Sequence, residues 1–349
     1  MTLKVFPSIR EVLKRIEDEK PSNPFLITTD IEMYDWVDYG DDDGLRIMPS
    51  ISSSFFSQYL FRGQTARYIP CLPTLHRPIA KFIKDEIDIP LELQYHSLIY
   101  QIKCKELEHS IESHPFVKYS RKMGLRVSKK AIAQHYGIPT DLLDLTEDPK
   151  VAAFFATCTQ NSENEWIPVQ KGIGVIYRLN RLTLSRIPGE SNKLELIGQQ
   201  ALPRPGEQKA WSLQINPQLD FEKLPINIFL FNQNEKLSLE ILNLFDNGKK
   251  LFPNDIAFNL AQEILMSRFI SRPIARKVIL SQGCNSTDTE SKLDQYYKIF
   301  LEQFDIEIVD KEPPMLSNDQ IKEAQDYLNL DKVKMKFMAG LHFVRDIKK

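Results

Sequence analysis

The stretch AQHYGIPTDLLDLTEDPKVAAFFA at 133–156 leaves a chain little freedom. Gly137 stops the helix that precedes it, and Pro139 two residues on prevents that helix from resuming. TDLLDLT then alternates apolar and polar side chains at the period of a half-buried strand. Asp148 followed by Pro149 is a helix start: a side-chain acceptor for free N–H groups, then a residue whose φ already suits the first turn. The helix it opens, PKVAAFFATC, is almost wholly apolar, so it has to be buried between other elements rather than laid on a surface. A short helix, a strand and a buried helix are thus fixed in order.

The rest of the chain must supply a sheet for that strand and cover for that helix. Ser8 and Glu11 form the S-x-x-E pattern of a capping box, opening a helix through REVLKRIEDE. SSFFSQYLFRG reads as a strand that ends in a turn at Gly63. Between about 86 and 112, Leu91, Tyr95, Leu98 and Ile102 recur at helical spacing. GIGVIYRL is a strand, with shorter strands expected near 194–198, 210–215 and 226–231. LSLEILNLFDNG is a helix stopped by Gly248, and DIAFNLAQEILMSRF and KLDQYYKIFLEQF are further helices. Ser317 with Gln320 opens the last helix through a second capping box. Helices and strands mix without strict alternation, which indicates an α+β fold rather than a doubly wound sheet.

With 349 residues, 42% of them hydrophobic, the chain can bury one large core or two of ordinary size. A net charge of -2 excludes a globally basic nucleic-acid binder. Apolar runs such as VAAFFATC fall short of the roughly 20 residues a membrane span needs. MTLKVFPSIREV has no apolar leader core, so a cytoplasmic location is expected. Cys71, Cys104, Cys158 and Cys284 are widely separated, with no C-x-x-C, so no metal site is expected. Cys158, within the apolar helix, reads as a buried and inert thiol. Asp41, Asp42 and Asp43 lack the alternating spacing of a calcium loop and read as a solvated turn. Arg268, Arg272, Arg276 and Lys277 form a basic cluster with no acid between 264 and 287, although Pro273 interrupts a clean helical stripe. Lys332, Lys334, Lys336, Arg345, Lys348 and Lys349 add further positive charge. Such a run either solvates a face or contacts phosphate.

Chemistry concentrates in two strings. In FRGQTARYIPCLPTLHR at 61–77, Arg62 presents a planar donor fork suited to phosphate or carboxylate, and Gly63 lets the backbone bend close to what Arg62 holds. In the 133–156 string, polar residues are interleaved with core more densely than packing requires. Asp144, between two strand leucines, is costly to bury unpaired, and Arg62 is its natural partner. Gln134 and His135 end the short helix, and His135 has no structural role evident from its position.

Together, FRGQ and the later AQHYG-P-T--LD-T--P-VA-FFA pattern resemble the FRG domain family. RPGEQKAW at 204–211 and EILNLFDNGKKLFPND at 240–255 look like later segments of the same family, extending the resemblance over about residues 5–265. This implies an FRG domain over 1–265, including the N-terminal helix, and a mainly helical extension over 266–349.

A second resemblance, of pattern, is to ADP-ribosyltransferases, in which an early Arg, a strand leading into a VA--FA helix and a later Glu or Gln hold NAD. Arg62, Thr146 with the VAAFFA helix, and Glu207 with Gln208 follow that order. It implies a small split antiparallel or mixed β-sheet with flanking helices, NAD as cofactor, and transfer of ADP-ribose or hydrolysis of NAD. Arg62 would pair with the pyrophosphate or a ribose. Thr146 would brace the later strand, and Glu207 or Gln208 would hold the ribose hydroxyl and orient the acceptor. Gly63, Gln64, Gln134, His135 and Asp144 would complete the cofactor pocket. The family also implies a bacterial defence or toxin-type effector, with a macromolecular acceptor and a neutralising partner protein. The alternatives are a non-enzymatic module sensing a nucleotide-like or phage-derived ligand, and nucleic-acid binding through the basic C-terminal region.

Overall fold

The computed structural model of the protein describes residues 3–19, 34–37, 45–49, 58–85, 87–122, 124–184, 193–198, 202–215, 220–283, 285–329 and 344–345. Asp41, Asp42 and Asp43, Cys284 and most of the basic tail lie outside them. By contact the chain forms two compact units, 1–72 with 143–253 and 336–349, and 73–142 with 254–335.

The first unit is built on a seven-stranded mixed sheet, and the α+β expectation holds. Its strands, in chain order, are β1 (Val5–Phe6), β2 (Tyr59–Gln64), β3 (Leu142–Thr146), β4 (Ile173–Asn180), β5 (Leu194–Leu196), β6 (Ala210–Gln214) and β7 (Ile226–Asn232). They lie side by side as β1-β7-β4-β2-β3-β6-β5. β1 runs parallel to β7, whereas β7–β4, β4–β2, β2–β3 and β6–β5 are antiparallel. The ladder is long from β7 through β4 to β2. Between β2 and β3 it shrinks to one residue pair, Phe61 with Thr146.

Both faces of this sheet carry buried clusters, so β4 and β7 read as near-continuous apolar runs. Side chains alternate between two clusters. Leu60, Leu145, Val175, Tyr177, Trp211 and Leu213 fill one face. Phe61, Ile176, Phe229 and Phe231 fill the other, with Val12 and Ile16 of the helix Ile9–Asp18 and Ala152, Ala153 and Ala156 of the helix Pro149–Thr157.

The Pro149–Thr157 helix is buried all round, as its composition requires. Its alanines face the sheet, while Phe154 packs on Trp166 and Phe245 at ring distances of 4.9 and 5.5 Å. Phe252 of the LFP turn stacks on Trp166 at 5.0 Å. Asp148 caps this helix by accepting from the Lys150 N–H at 2.9 Å. Cys158 closes it as the first residue of a short strand and is buried.

Two local expectations change. The strand through FRGQ does not turn at Gly63; it continues to Gln64. A Cβ on Gly63 would stand 1.8 Å from the Ala152 carbonyl oxygen and 2.9 Å from the Ala156 nitrogen. The glycine therefore serves a close approach of helix backbone to strand, not a bend. Ser8 takes the extended cap position of the first helix, but its hydroxyl caps nothing. The second capping box does form: Gln320 N–H donates to Ser317 Oγ at 3.2 Å, and Ser317 N–H to Gln320 Oε1 at 2.8 Å.

The second unit is mainly helical, around Leu98, Ile99, Ile102, Ile274, Ile279, Leu293 and Phe300. Pro273 does not interrupt a helix here; it sits in the first turn of Arg272–Ser281, where its missing N–H costs nothing. The long helix Leu91–Ser110 carries two buried charges at i, i+3 that join two other helices. Lys103 Nζ donates to the carbonyls of Leu265 and Ser267 at 2.7 and 2.8 Å, closing the end of Ile256–Met266. Glu106 Oε1 accepts from the N–H of Ser271, the cap residue of Arg272–Ser281, at 2.5 Å. No helix among the described residues is long and apolar enough to cross a membrane.

Two consequences can be measured. Gly63→Ala forces a methyl group onto helix backbone that no rotamer change can move. It should cost about 3 kcal/mol or more in urea unfolding. Burial pushes the Glu106 carboxyl up to about 7, against the opposing pull of the Ser271 N–H and Lys103. The folded state then holds a proton that the unfolded state has released, so stability falls as pH rises from the ordinary carboxylate value of 4.5 through about 7. Glu106→Gln keeps the acceptor and removes the titration. Over that window the unfolding free energy of the wild type should decline relative to the variant by up to about 3 kcal/mol, read from urea unfolding at a series of pH values.

Candidate functional site

The alternation of β2 divides FRGQ between the two faces of the sheet. Phe61 and Gly63 face the helix Pro149–Thr157; Arg62 and Gln64 share the opposite face with Leu60 and lie beside Tyr177 and Val175 of β4. Arg62 is half-buried where β2 and β3 pair at only one residue. Its Nη1 donates to the Asp144 backbone carbonyl at 2.8 Å, so it reaches Asp144 through the main chain. Its Nε is buried and has no partner among the described residues. Cys71 lies beside the guanidinium, and its Sγ donates to Gln64 Oε1 at 3.7 Å. Burial pushes the Cys71 thiol above its usual range, with the Arg62 charge only partly opposing it, so this cysteine stays protonated.

A second layer backs this group. Asp220 Oδ1 accepts from the N–H groups of Cys71 and Glu222 at 2.9 and 3.0 Å, which fixes the 220–222 turn against β2's continuation. Glu222 takes a two-pronged bond from Arg67 at 2.9 and 2.5 Å, and Tyr177 donates its hydroxyl to Glu222 Oε1 at 2.8 Å. Burial alone would raise the Glu222 carboxyl. The bonds from Arg67 and Tyr177 and the Arg67 charge outweigh it and hold the group below the usual carboxylate range. Burial, next to Cys71 and Glu222, raises Tyr177.

On the other side of Arg62, β3 is tied to the 203–214 segment. Thr146 Oγ1 donates to the Gln208 carbonyl at 2.7 Å and accepts from the Asp148 N–H at 3.1 Å. Gln208 is buried, and its Nε2 donates to the Leu251 carbonyl at 3.0 Å. Trp211 Nε1 donates to Glu147 Oε1 at 2.8 Å, and burial raises the Glu147 carboxyl. Glu207, at the end of the short helix Pro203–Glu207, is exposed.

Gln134 and His135 belong to the second unit. Gln134 Oε1 accepts from the N–H and hydroxyl of Thr140 at 3.1 and 2.6 Å, and Thr140 Oγ1 accepts from the Leu142 N–H at 3.2 Å. Gly137 turns the loop with φ +95°. Tyr136 donates to Asp255 Oδ2 at 2.6 Å, and His135 is buried. Gln134 and Thr140 thus spend their side chains on closing the turn, while Tyr136 reaches beyond it to Asp255.

The structure therefore gathers Arg62 with Gln64 and the Asp144 carbonyl, and separately Thr146 with Gln208. It adds Arg67, Cys71, Tyr177 and Glu222, which the sequence reading did not place at the site. Arg67 and Cys71 stand in the same string as Arg62, but Glu222 lies 155 positions from Arg67, and nothing local marks it. The basic cluster at 268–277 is largely neutralised. Arg272 pairs with Glu290 at 3.4 Å and Asp294 at 3.0 Å, Arg276 with Glu290 at 2.9 Å, and Arg268 with Asp305.

No curated protein and no solved structure matches the chain. One family model does, over residues 57–165, inside the longer stretch that the sequence resemblance suggested. It takes in Arg62, Gly63 and Gln64 on β2, the QHYGIPT turn, β3 and the Pro149–Thr157 helix, and it stops short of Glu207 and Gln208. Residues 57–165 are an FRG domain.

Proposed function

We propose that this FRG-domain protein binds NAD at Arg62 and passes its ADP-ribose to a macromolecule or to water, acting as an effector of bacterial defence or toxin type. The observation that carries the reading is the state of Arg62. Its guanidinium stands in the gap between β2 and β3 with one nitrogen spent on the Asp144 carbonyl and a buried Nε without an acceptor. A pyrophosphate offers the planar set of acceptors that such a fork lacks. The buried orphan donor is what makes the residues present fit a dinucleotide.

When bound, NAD supplies an N-glycosidic bond whose cleavage leaves neutral nicotinamide and a positively charged ribose carbon. The chain's residues position and neutralise around that event. Arg62 holds the pyrophosphate, while Thr146 and Gln208, bonded to each other through the Gln208 carbonyl, act as positioning residues. Glu207 is the exposed carboxylate of this segment. In this reading it steadies the ribose cation and accepts the proton that the attacking hydroxyl or water releases. The setting also calls for a macromolecular acceptor and a neutralising partner protein.

One observation favours a second reading, recognition without turnover. The polar groups of Thr146, Gln208 and Gln134 all have acceptors or donors inside the protein. A pre-organised polar core of this kind suits a module that senses a nucleotide-like ligand.

Calorimetric titration with NAD, followed by incubation of labelled NAD with cell extract, separates the two. The wild type should bind NAD, and both Arg62→Ala and the charge-conserving Arg62→Lys should weaken binding at least about tenfold. Glu207→Gln should still bind and should lose label transfer or hydrolysis by about a hundredfold. Binding with neither transfer nor hydrolysis favours the sensing module. Absence of NAD binding by the folded wild type rejects the NAD reading altogether.

A further inference from the structure

The second unit contains a cleft of about 450 Å³ that none of the chemistry above uses. One wall comes from the short turn Thr74–Ile79, pinned where the Leu75 N–H donates to the Thr140 carbonyl at 3.3 Å. It lines the cleft with Leu75 and His76. His76 is 9% exposed, yet neither of its ring nitrogens has a partner among the described residues. Leaving both a buried donor and a buried acceptor unmet is costly, and natural interiors avoid it unless something else fills the need.

The ionic lining narrows what that could be. Lys130 pairs with Asp141, and Lys105 with Glu108 at 2.7 Å, so those four charges cancel. Lys277, on the helix Arg272–Ser281, also lines the cleft and has no carboxylate partner among the described residues. Burial lowers the His76 imidazole below its usual pKa, Asp141 partly opposes this, and Lys130 adds to it. The ring is therefore neutral near pH 7 and offers one N–H donor and one bare nitrogen acceptor. A matching ligand carries negative charge for Lys277 and a polar edge with both a donor and an acceptor for His76. Inorganic phosphate would fill a fraction of the space, whereas 450 Å³ lies within the range of small-ligand pockets.

We propose that this cleft is a binding site for a nucleoside monophosphate, its phosphate on Lys277 and the edge of its base on His76. The site is independent of Arg62 and of the NAD reading, and the full-length chain can be tested for it directly. In calorimetry AMP, GMP, CMP and UMP are titrated in turn, with adenosine and inorganic phosphate as partial probes. At least one monophosphate should bind, and neither adenosine nor phosphate alone should match it. His76→Leu should weaken that binding at least about tenfold while raising the melting temperature, because the substitution removes two unmet buried polar atoms. Lys277→Met, at an exposed position, should weaken binding by a similar factor and reduce its salt dependence. Arg62→Ala should leave it unchanged. The proposal is overturned if no monophosphate binds at millimolar concentration. It is also overturned if His76→Leu or Lys277→Met binds as tightly as the wild type, or if adenosine alone binds as tightly as AMP.

Discussion

At Gly63 the carbonyl oxygen of Ala152 occupies the space where any other residue would carry its Cβ. That approach lets the Pro149–Thr157 helix lie with its backbone against β2, its alanines inward and its phenylalanines outward. Much of the first unit depends on it. Asp148 starts the helix at the end of β3, so seating the helix on β2 also sets where β3 can run. Gln233 Nε2 donates to the carbonyls of Ala156 and Thr65 at 2.7 and 3.2 Å, and so ties the far end of the helix to the end of β2 and to the chain beyond β7. The outward aromatics in turn need Trp166, Phe245 and Phe252, which accounts for a conspicuously apolar LFP turn late in the first unit. The two most distinctive strings of the sequence, FRGQ and DPKVAAFFA, are therefore the two halves of one contact.

How far the sequence discloses this differs by type of signal. Local signals were legible. The Asp-Pro helix start, the Gly137 stop, the Ser317–Gln320 box and the alternating strands all depend on residues within a few positions of one another. Gly63 is ambiguous in the sequence because glycine after an apolar strand signals a turn as readily as a close approach. Only the helix 89 positions later decides between them, and Ala152 is not recognisable as its partner in advance. Ser8 shows the converse, a correct cap position whose hydroxyl goes unused. Side-chain partners at long range were not legible at all. Nothing near Glu222 announces Arg67 and Tyr177, and the acids that neutralise Arg272 and Arg276 lie just beyond the acid-free interval that made them look like a patch.

The buried charges sort by what they are spent on. Lys103 and Glu106 close helix junctions, and Arg178 lies between the rings of Tyr59 and Phe229, bonded to Asn227 and paired with Glu19 at 2.7 Å. Glu147 holds the indole of Trp211. In each case the cost of burial is met by neighbours the fold itself supplies. Gln134 and Thr140 behave alike on the neutral side, since the bonds between their side chains and on to the Leu142 N–H close their own loop. Polar density in a sequence is thus weak evidence of a site when the polar atoms can satisfy one another.

Arg62 does not fit that pattern, and its position explains why. A sheet with full ladders would bring β2 and β3 together over several residues and leave no room for a guanidinium. Here they meet at Phe61 and Thr146 alone, and Arg62 stands at that narrow junction, one nitrogen on the Asp144 carbonyl. The strands on either side are held by other means: the long ladder with β4 for β2, and Thr146, Glu147 and Gln208 for β3. Because both flanks are independently fixed, the gap need not collapse when Arg62 turns a donor outward. A cation buried mainly to stabilise the fold is met by an acid and by side-chain acceptors, as Arg178 is by Glu19 and Asn227. The buried Nε left without one, at a junction where β2 and β3 meet at a single pair, is the observation on which the proposal of an outside acceptor rests.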